Sequence, residues 1–247
     1  MNAPQQSGEH TVKGYDAELQ RLTGEIQRMG EAALAQLEAA IDAVIERDSD
    51  AAMRVVNADD AIDTLEQDVS HDVVRLLALR QPLARDLREV LAALRIASDI
   101  ERIGDYAANV AKRSLVLNQL APVGLTSALP RLAALAASLV RDVLAAYRDN
   151  DAERALDAWA RDEELDEQYT GLFRELLTYM MEDPRNITPC THLLFMAKNI
   201  ERIGDHATNI AETVYYMVSG QVLADDRPKA DVSSETNVTF PGHAVQG

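Results

Sequence analysis

Apolar residues recur along this chain at alternating steps of three and four, the spacing that lines one face of an α-helix. The first line is Leu19, Leu22, Ile26, Met29, Ala33, Leu37, Ile41 and Val44, and it predicts a helix from about Tyr15 to Arg47. Asp48-Ser-Asp50 supplies a turn and an N-cap. A second helix, Ala51 to about Arg80, carries Val55, Ile62, Leu65, Val69, Val73 and Leu76. Gln81-Pro82 ends it, because proline lacks the N–H and turns the residue before it away from the helix. A third helix, Leu83 to about Asn118, carries Ile96, Ile100, Ile103, Ala107 and Val110, and Ala121-Pro-Val-Gly124 closes it.

The scheme then restarts. A fourth helix opens at Ser127 or Pro130 and runs to about Arg148, a fifth spans about Ala152 to Met181, and a sixth spans about Thr188 to Val218. Asp149-Asn-Asp151 echoes the first turn, and Glu182-Asp-Pro184 stands where Gln81-Pro82 stood. Six helices with short breaks predict an all-α fold of two tandem antiparallel three-helix bundles, residues 14–120 and 127–218. The polar ends, 1–13 and 219–247, carry no helical period and are predicted to be unstructured.

Within the third and sixth helices one phrase repeats: Ile100-Glu-Arg-Ile-Gly-Asp105 and Ile200-Glu-Arg-Ile-Gly-Asp205. The identity extends outward to Ala107/Ala207, Asn109/Asn209 and Ala111/Ala211, so the chain is built twice from one plan. Residues four apart share a helix face, which makes Glu101, Asp105 and Asn109 one polar stripe and Glu201, Asp205 and Asn209 another. Glycine inside a helix costs roughly 1 kcal/mol. Its return at Gly104 and Gly204 marks a place where the missing side chain makes room for something.

The second and fifth helices carry acids at the same spacing, Asp59 with Asp63 and Asp162 with Asp166. Asp63 lies 19 residues before Pro82 and Glu101 lies 19 after it, while Asp59 and Asp105 lie 23 before and 23 after. In the second half Asp166 and Glu201 lie 18 before and 17 after Pro184, and Asp162 and Asp205 lie 22 and 21 away. Folded at its proline, each half therefore brings four carboxylates to one height. Helix rotation, which decides whether they face each other, is not fixed by these distances. Four such charges repel, by about 1 kcal/mol for each close pair even near water. Protonation, arginine partners or bound cations relieve that repulsion, and Arg102 and Arg202 stand within reach of Asp105 and Asp205. All-oxygen ligand sets suit hard cations such as Mg²⁺, Mn²⁺, Ca²⁺ or iron, and zinc less so. The bland alternative is a solvated acidic face. His206 follows Asp205, but its counterpart is Tyr106, so it is not part of the repeated plan.

Composition narrows the partners. The chain has 24 Lys and Arg against 41 Asp and Glu, a formal charge of −17, which repels nucleic acid and anionic lipid surfaces. Cys190 is the sole cysteine, so no intrachain disulfide forms, and a buried thiol is the expectation. The first residues have no signal-peptide core. The uncharged run Ser114–Pro130 is interrupted by Pro122 and Gly124 and reads as a linker, not a membrane span. The cytoplasm is the simplest compartment.

These residues carry a family resemblance. Tandem three-helix bundles, acids four apart on two helices of each, the repeated Ile-Glu-Arg-Ile-Gly-Asp phrase and the segment Arg80-Gln-Pro-Leu-Ala-Arg-Asp-Leu-Arg88 together resemble the PhoU family, over about residues 15–218. The turn Glu182-Asp-Pro-Arg-Asn186 departs from that pattern. The resemblance implies a cytoplasmic accessory protein of phosphate-specific transport, not an enzyme, and a homodimer. It implies repression of the phosphate-starvation response by linking the ATPase subunit of the phosphate ABC transporter to a membrane sensor histidine kinase. It also implies divalent or iron cations (Fe, Zn, Mg or Mn) held by Asp59, Asp63, Glu101, Asp105, Asp162, Asp166, Glu201 and Asp205. Direct membrane insertion and nucleic-acid binding are not expected. Two rivals compete: a metal-free helical scaffold that binds a basic partner surface, and a carboxylate di-metal enzyme. The second needs Glu-x-x-His on its helices, and here Gly104 and Gly204 stand at that third position.

Overall fold

Each periodic segment is a helix in the computed structural model, which describes residues 6–223 and residue 231. In chain order the helices are α1 (Gln6–Glu46), α2 (Ser49–Arg80), α3 (Arg85–Leu117), α4 (Leu129–Asp149), α5 (Ala152–Ala160), α6 (Asp162–Glu182) and α7 (Ile187–Ser219). No strand occurs among the described residues, and none of these helices is long and apolar enough to cross a membrane. The expected N-terminal tail is corrected in part: α1 already begins at Gln6, beyond Pro4, with no further proline to bar a helix. Most of 219–247 lies outside the described residues.

The corners are set by local chemistry. Arg47 and Asn150 take left-handed backbone conformations that end α1 and α4. Asp48 and Asp151 then cap α2 and α5, their carboxylates accepting from the N–H groups of Ala51 at 2.9 Å and Arg154 at 3.0 Å. The Arg47 guanidinium donates to the carbonyls of Leu117, Asn118 and Leu120 at 3.1, 2.8 and 2.6 Å, which ties this corner to the open end of α3.

One expectation is corrected here. The fifth helix is not continuous: it breaks at Arg161 into α5 and α6, whereas its counterpart α2 runs unbroken. The Arg161 N–H is shared between the carbonyls of Asp157 and Ala158, a tightening of the turn. Its side chain reaches across to α4, donating to Asp142 at 2.7 Å and Ser138 at 3.2 Å. The break turns Asp162 into the first residue of a new helix, where the macrodipole favours a carboxylate.

The two repeats lie side by side, with α3 and α7 packed along their length. Asp99 meets His206 at 2.8 Å, Arg113 lies 4.1 Å from the Phe195 ring, and Arg88 donates to the Met217 carbonyl at 3.3 Å. Rising numbers on α3 meet falling numbers on α7, so the helices are antiparallel and the two copies of the motif sit level at the crossing. Ile100, Ile103, Ile200 and Ile203 are fully buried there. The small residues between them, Ala97, Ala107, Ala197 and Ala207, let the helices approach closely. Cys190 is buried and burial raises its pKa, which makes it a packing thiol.

The two motif glycines sit against unequal neighbours. A methyl added at Gly104 would meet the buried Ile62 at Cδ1, 2.9 Å away, a small overlap with one side-chain end and nothing else closer than 3.5 Å. At Gly204 it would meet Leu165 Cδ2 at 2.2 Å and Asp162 Oδ1 at 2.8 Å, both on buried residues. Gly204→Ala is therefore expected to destabilise by about 1–3 kcal/mol despite the better helix propensity. Gly104→Ala is expected to stay within about 1 kcal/mol of the parent. Urea unfolding of both variants checks this, and equal midpoints would show that α6 does not press on α7 as described.

Candidate cation sites on the paired acidic helices

In the first half α2 presents Asp59 and Asp63, and α3 presents Glu101 and Asp105, all partly exposed. Burial lifts the Asp59 carboxyl above its usual range, and the charges of Asp105 and Asp63 add to this against a hydrogen bond from Gln36. Burial likewise raises Glu101, helped by Asp105, Asp63 and Glu66 and opposed by Arg102. The level pairing expected from the distances to Pro82 is thus a real proximity: Asp59 feels Asp105, and Glu101 feels Asp63. Arg102 lies 3.3 Å from Glu101 and 2.9 Å from Asp105. A cleft of about 300 Å³ opens beside them, lined by Asp63, Glu66, Gln67, Ser98, Glu101 and Arg102.

The donor set in this half is all oxygen, and burial with neighbouring charge raises Asp59 and Glu101, so it fits a hard cation that would offset that charge. Among the described residues no group of three or more His, Cys, Asp or Glu is gathered tightly enough to hold one ion. An ion in the cleft is therefore held only when the carboxylates turn inward around it.

The second half is built differently. Asp162, Asp166 and Glu201 are 1%, 2% and 4% exposed, and Asp205 is half-buried. Lys198 Nζ lies 2.8 Å from Glu201 and 2.9 Å from Asp231, and 5.0 Å from the centre of the Tyr169 ring. The Asp231 N–H donates to Asp166 Oδ2 at 3.3 Å. Asp231, the one described residue beyond 223, thus reaches this cluster through both its carboxylate and its N–H. Glu201 Oε2 has no hydrogen-bond partner among the described residues, and burial, with Asp205 and Asp166, raises Glu201 to about 7 against the pull of Lys198. Arg102 in the first half is 55% exposed and can swing into water, whereas Lys198 is seated on a Glu201 side chain only 5% exposed, so this cluster is the poorer fit for a metal cation.

A PhoU domain model matches residues 26–114 and again 129–214. The chain belongs to the PhoU family. It is 61% identical over 229 residues to the phosphate-specific transport system accessory protein PhoU homolog of Xylella fastidiosa, covering 93% of this chain and 97% of the relative. It is 50% identical to the homolog of Caulobacter vibrioides, covering 92% and 99%. The crystal structure of PhoU from Pseudomonas aeruginosa superposes with a TM-score of 0.80 at 37% identity, over 84% of this chain and 100% of that one. PhoU from Streptococcus pneumoniae gives 0.78 at 31% identity, over 85% and 99%. PhoU proteins are accessory proteins and not enzymes, and this chain is the same.

Within this PhoU fold several residues at the acidic helices escape the acid spacing. Gln36 of α1 donates to Asp59 Oδ1 at 2.9 Å and to the Gly104 carbonyl at 3.4 Å. Its signal is a polar residue on an apolar line. With the left-handed turns at Arg47 and Asn150 aligned, Leu139 takes its place in the second repeat. Lys198 stands where the first repeat has Ser98, a difference visible once the motifs are aligned. His206 serves the seam between the repeats: it pairs with Asp99 and packs 5.6 Å from the Tyr106 ring. Arg202 lies 5.6 Å over that same Tyr106 ring.

Proposed function

We propose that this chain is a cytoplasmic negative regulator of the phosphate-starvation response. It acts as a homodimeric adaptor between the ATPase subunit of a phosphate ABC transporter and a sensor histidine kinase. Divalent or iron cations bind at Asp59, Asp63, Glu101 and Asp105. The role in phosphate transport is supported by relatives named as accessory proteins of that system, matched over nearly their whole length. Ion binding rests on one observation above all: acids from α2 and α3 gather beside an open cleft, where burial and the neighbouring carboxylates raise Asp59 and Glu101. The ion would neutralise that cluster, and Gln36 would hold Asp59 in place from behind. A soluble helical adaptor needs no membrane segment of its own to reach a membrane transporter, and the acidic surface suits a basic docking face.

Arg102, bound to both Glu101 and Asp105, favours a second reading in which the face stays metal-free and meets a basic partner surface. Deleting this protein from cells is expected to raise phosphate-starvation alkaline phosphatase severalfold in rich phosphate. Unchanged repression would remove the regulatory assignment. Elemental analysis of purified wild-type and E101Q/D105N protein separates the two readings of the acids. Loss of bound metal in the variant supports the cation site, and a metal-free wild type after loading supports the scaffold.

A further inference from the structure

We infer that Lys198 is a built-in cation that takes the place of a metal ion in the second acidic cluster, so that ions load only the first half of the chain. The inference rests on the cation reading just given. Aligning the motifs places Lys198 on Ser98, and Ser98 lines the open cleft of the first half. Aligning Asp59 with Asp162 places Tyr169 on Glu66, another lining residue of that cleft. Relative to the first half, the second thus exchanges an acid for an aromatic ring and a hydroxyl for an ammonium. The ring and the ammonium are themselves in contact, 5.0 Å apart.

The ammonium is seated by geometry that the helix fixes. Lys198 precedes Glu201 by one helical turn, and its Nζ lies 2.8 Å from Oε1. Asp231 accepts from the same Nζ at 2.9 Å and links onward to Asp166 through its own N–H. Three of the four motif acids in this half are nearly inaccessible, whereas the four in the first half are all partly exposed. A divalent ion entering here would have to displace a like charge from a buried carboxylate. Strong hydration makes such ions reluctant to enter. The unpartnered Glu201 Oε2 marks what an ion would find if the lysine were absent: a buried oxygen with no donor among the described residues.

Full-length protein stripped with chelator and reloaded with Mn²⁺ tests this by elemental analysis and thermal unfolding. The wild-type stoichiometry is expected to fall at least tenfold in E101Q/D105N and to stay unchanged in D166N/E201Q. In K198S, which copies Ser98, it is expected to rise about twofold, and Mn²⁺ is expected to raise the melting temperature of K198S more than that of wild type. A halved stoichiometry in D166N/E201Q would overturn the inference, and so would K198S that gains neither Mn²⁺ nor thermal protection. A wild type that takes up no Mn²⁺ while K198S takes it up would sink the first-half site and leave the role of Lys198 standing. If both proteins stay empty, both ideas fall.

Discussion

Truncating Ile203 to alanine is expected to lower stability by about 2–5 kcal/mol, a fall of roughly 4–20 °C in melting temperature for a chain of this length. Ile203 is fully buried at the level where α3 and α7 cross, inside the phrase that both repeats share. Removing its outer carbons leaves a cavity between two helices that the rest of the fold holds apart. That site collapses poorly, because Ile100, Ile103 and Ile200 around the crossing are also fully buried. Leu83→Ala is the matched control: Leu83 lies in the α2–α3 turn at 80% exposure, and its loss should change stability by no more than about 0.5 kcal/mol. Calorimetry and urea unfolding of the two variants give the comparison. Equal losses would mean that the motif does not lie at the centre of the packed repeats.

Much of this was legible in the sequence, for reasons that can be named residue by residue. Helix periods and proline stops gave six segments, because burial on one face forces the spacing and proline removes a donor. The repeated phrase gave the twofold plan, and equal distances from Pro82 put Asp63 level with Glu101 and Asp59 level with Asp105. Three things were not readable. The break at Arg161 depends on a side chain reaching Asp142 and Ser138 on another helix, which local propensity does not contain. The packing of α3 on α7 is a choice between faces that are both apolar. The unequal chemistry of the two acidic clusters lies in Gln36, Lys198, Tyr169 and Asp231, none of which belongs to the repeated acid spacing.

That inequality should appear as a pH dependence of folding in chelated protein. Glu201 is raised in the folded chain to about 7 from an ordinary value of 4.5, chiefly by burial and then by the charges of Asp205 and Asp166, against Lys198. Between those two values the native state binds more protons than the unfolded chain, so stability falls as pH rises through the window. At about 1.4 kcal/mol per unit the loss is on the order of 3 kcal/mol. Lys198 is raised as well, because pairing with Glu201 and Asp231 outweighs its burial. Its contribution, however, is complete below the ordinary lysine value and is lost only at far higher pH, so it leaves this window untouched. The direction for Glu201 is set by its position, 4% exposed with one oxygen unpartnered among the described residues. Asp59 and Glu101 are raised as well and add a slope of the same sign, so the informative quantity is the difference between wild type and E201Q. From pH 4.5 to 8, urea unfolding in chelator should show E201Q gaining on wild type by about 3 kcal/mol. A difference that stays constant across that range would mean that Glu201 is ionised in the native state throughout, with Lys198 fully offsetting its burial.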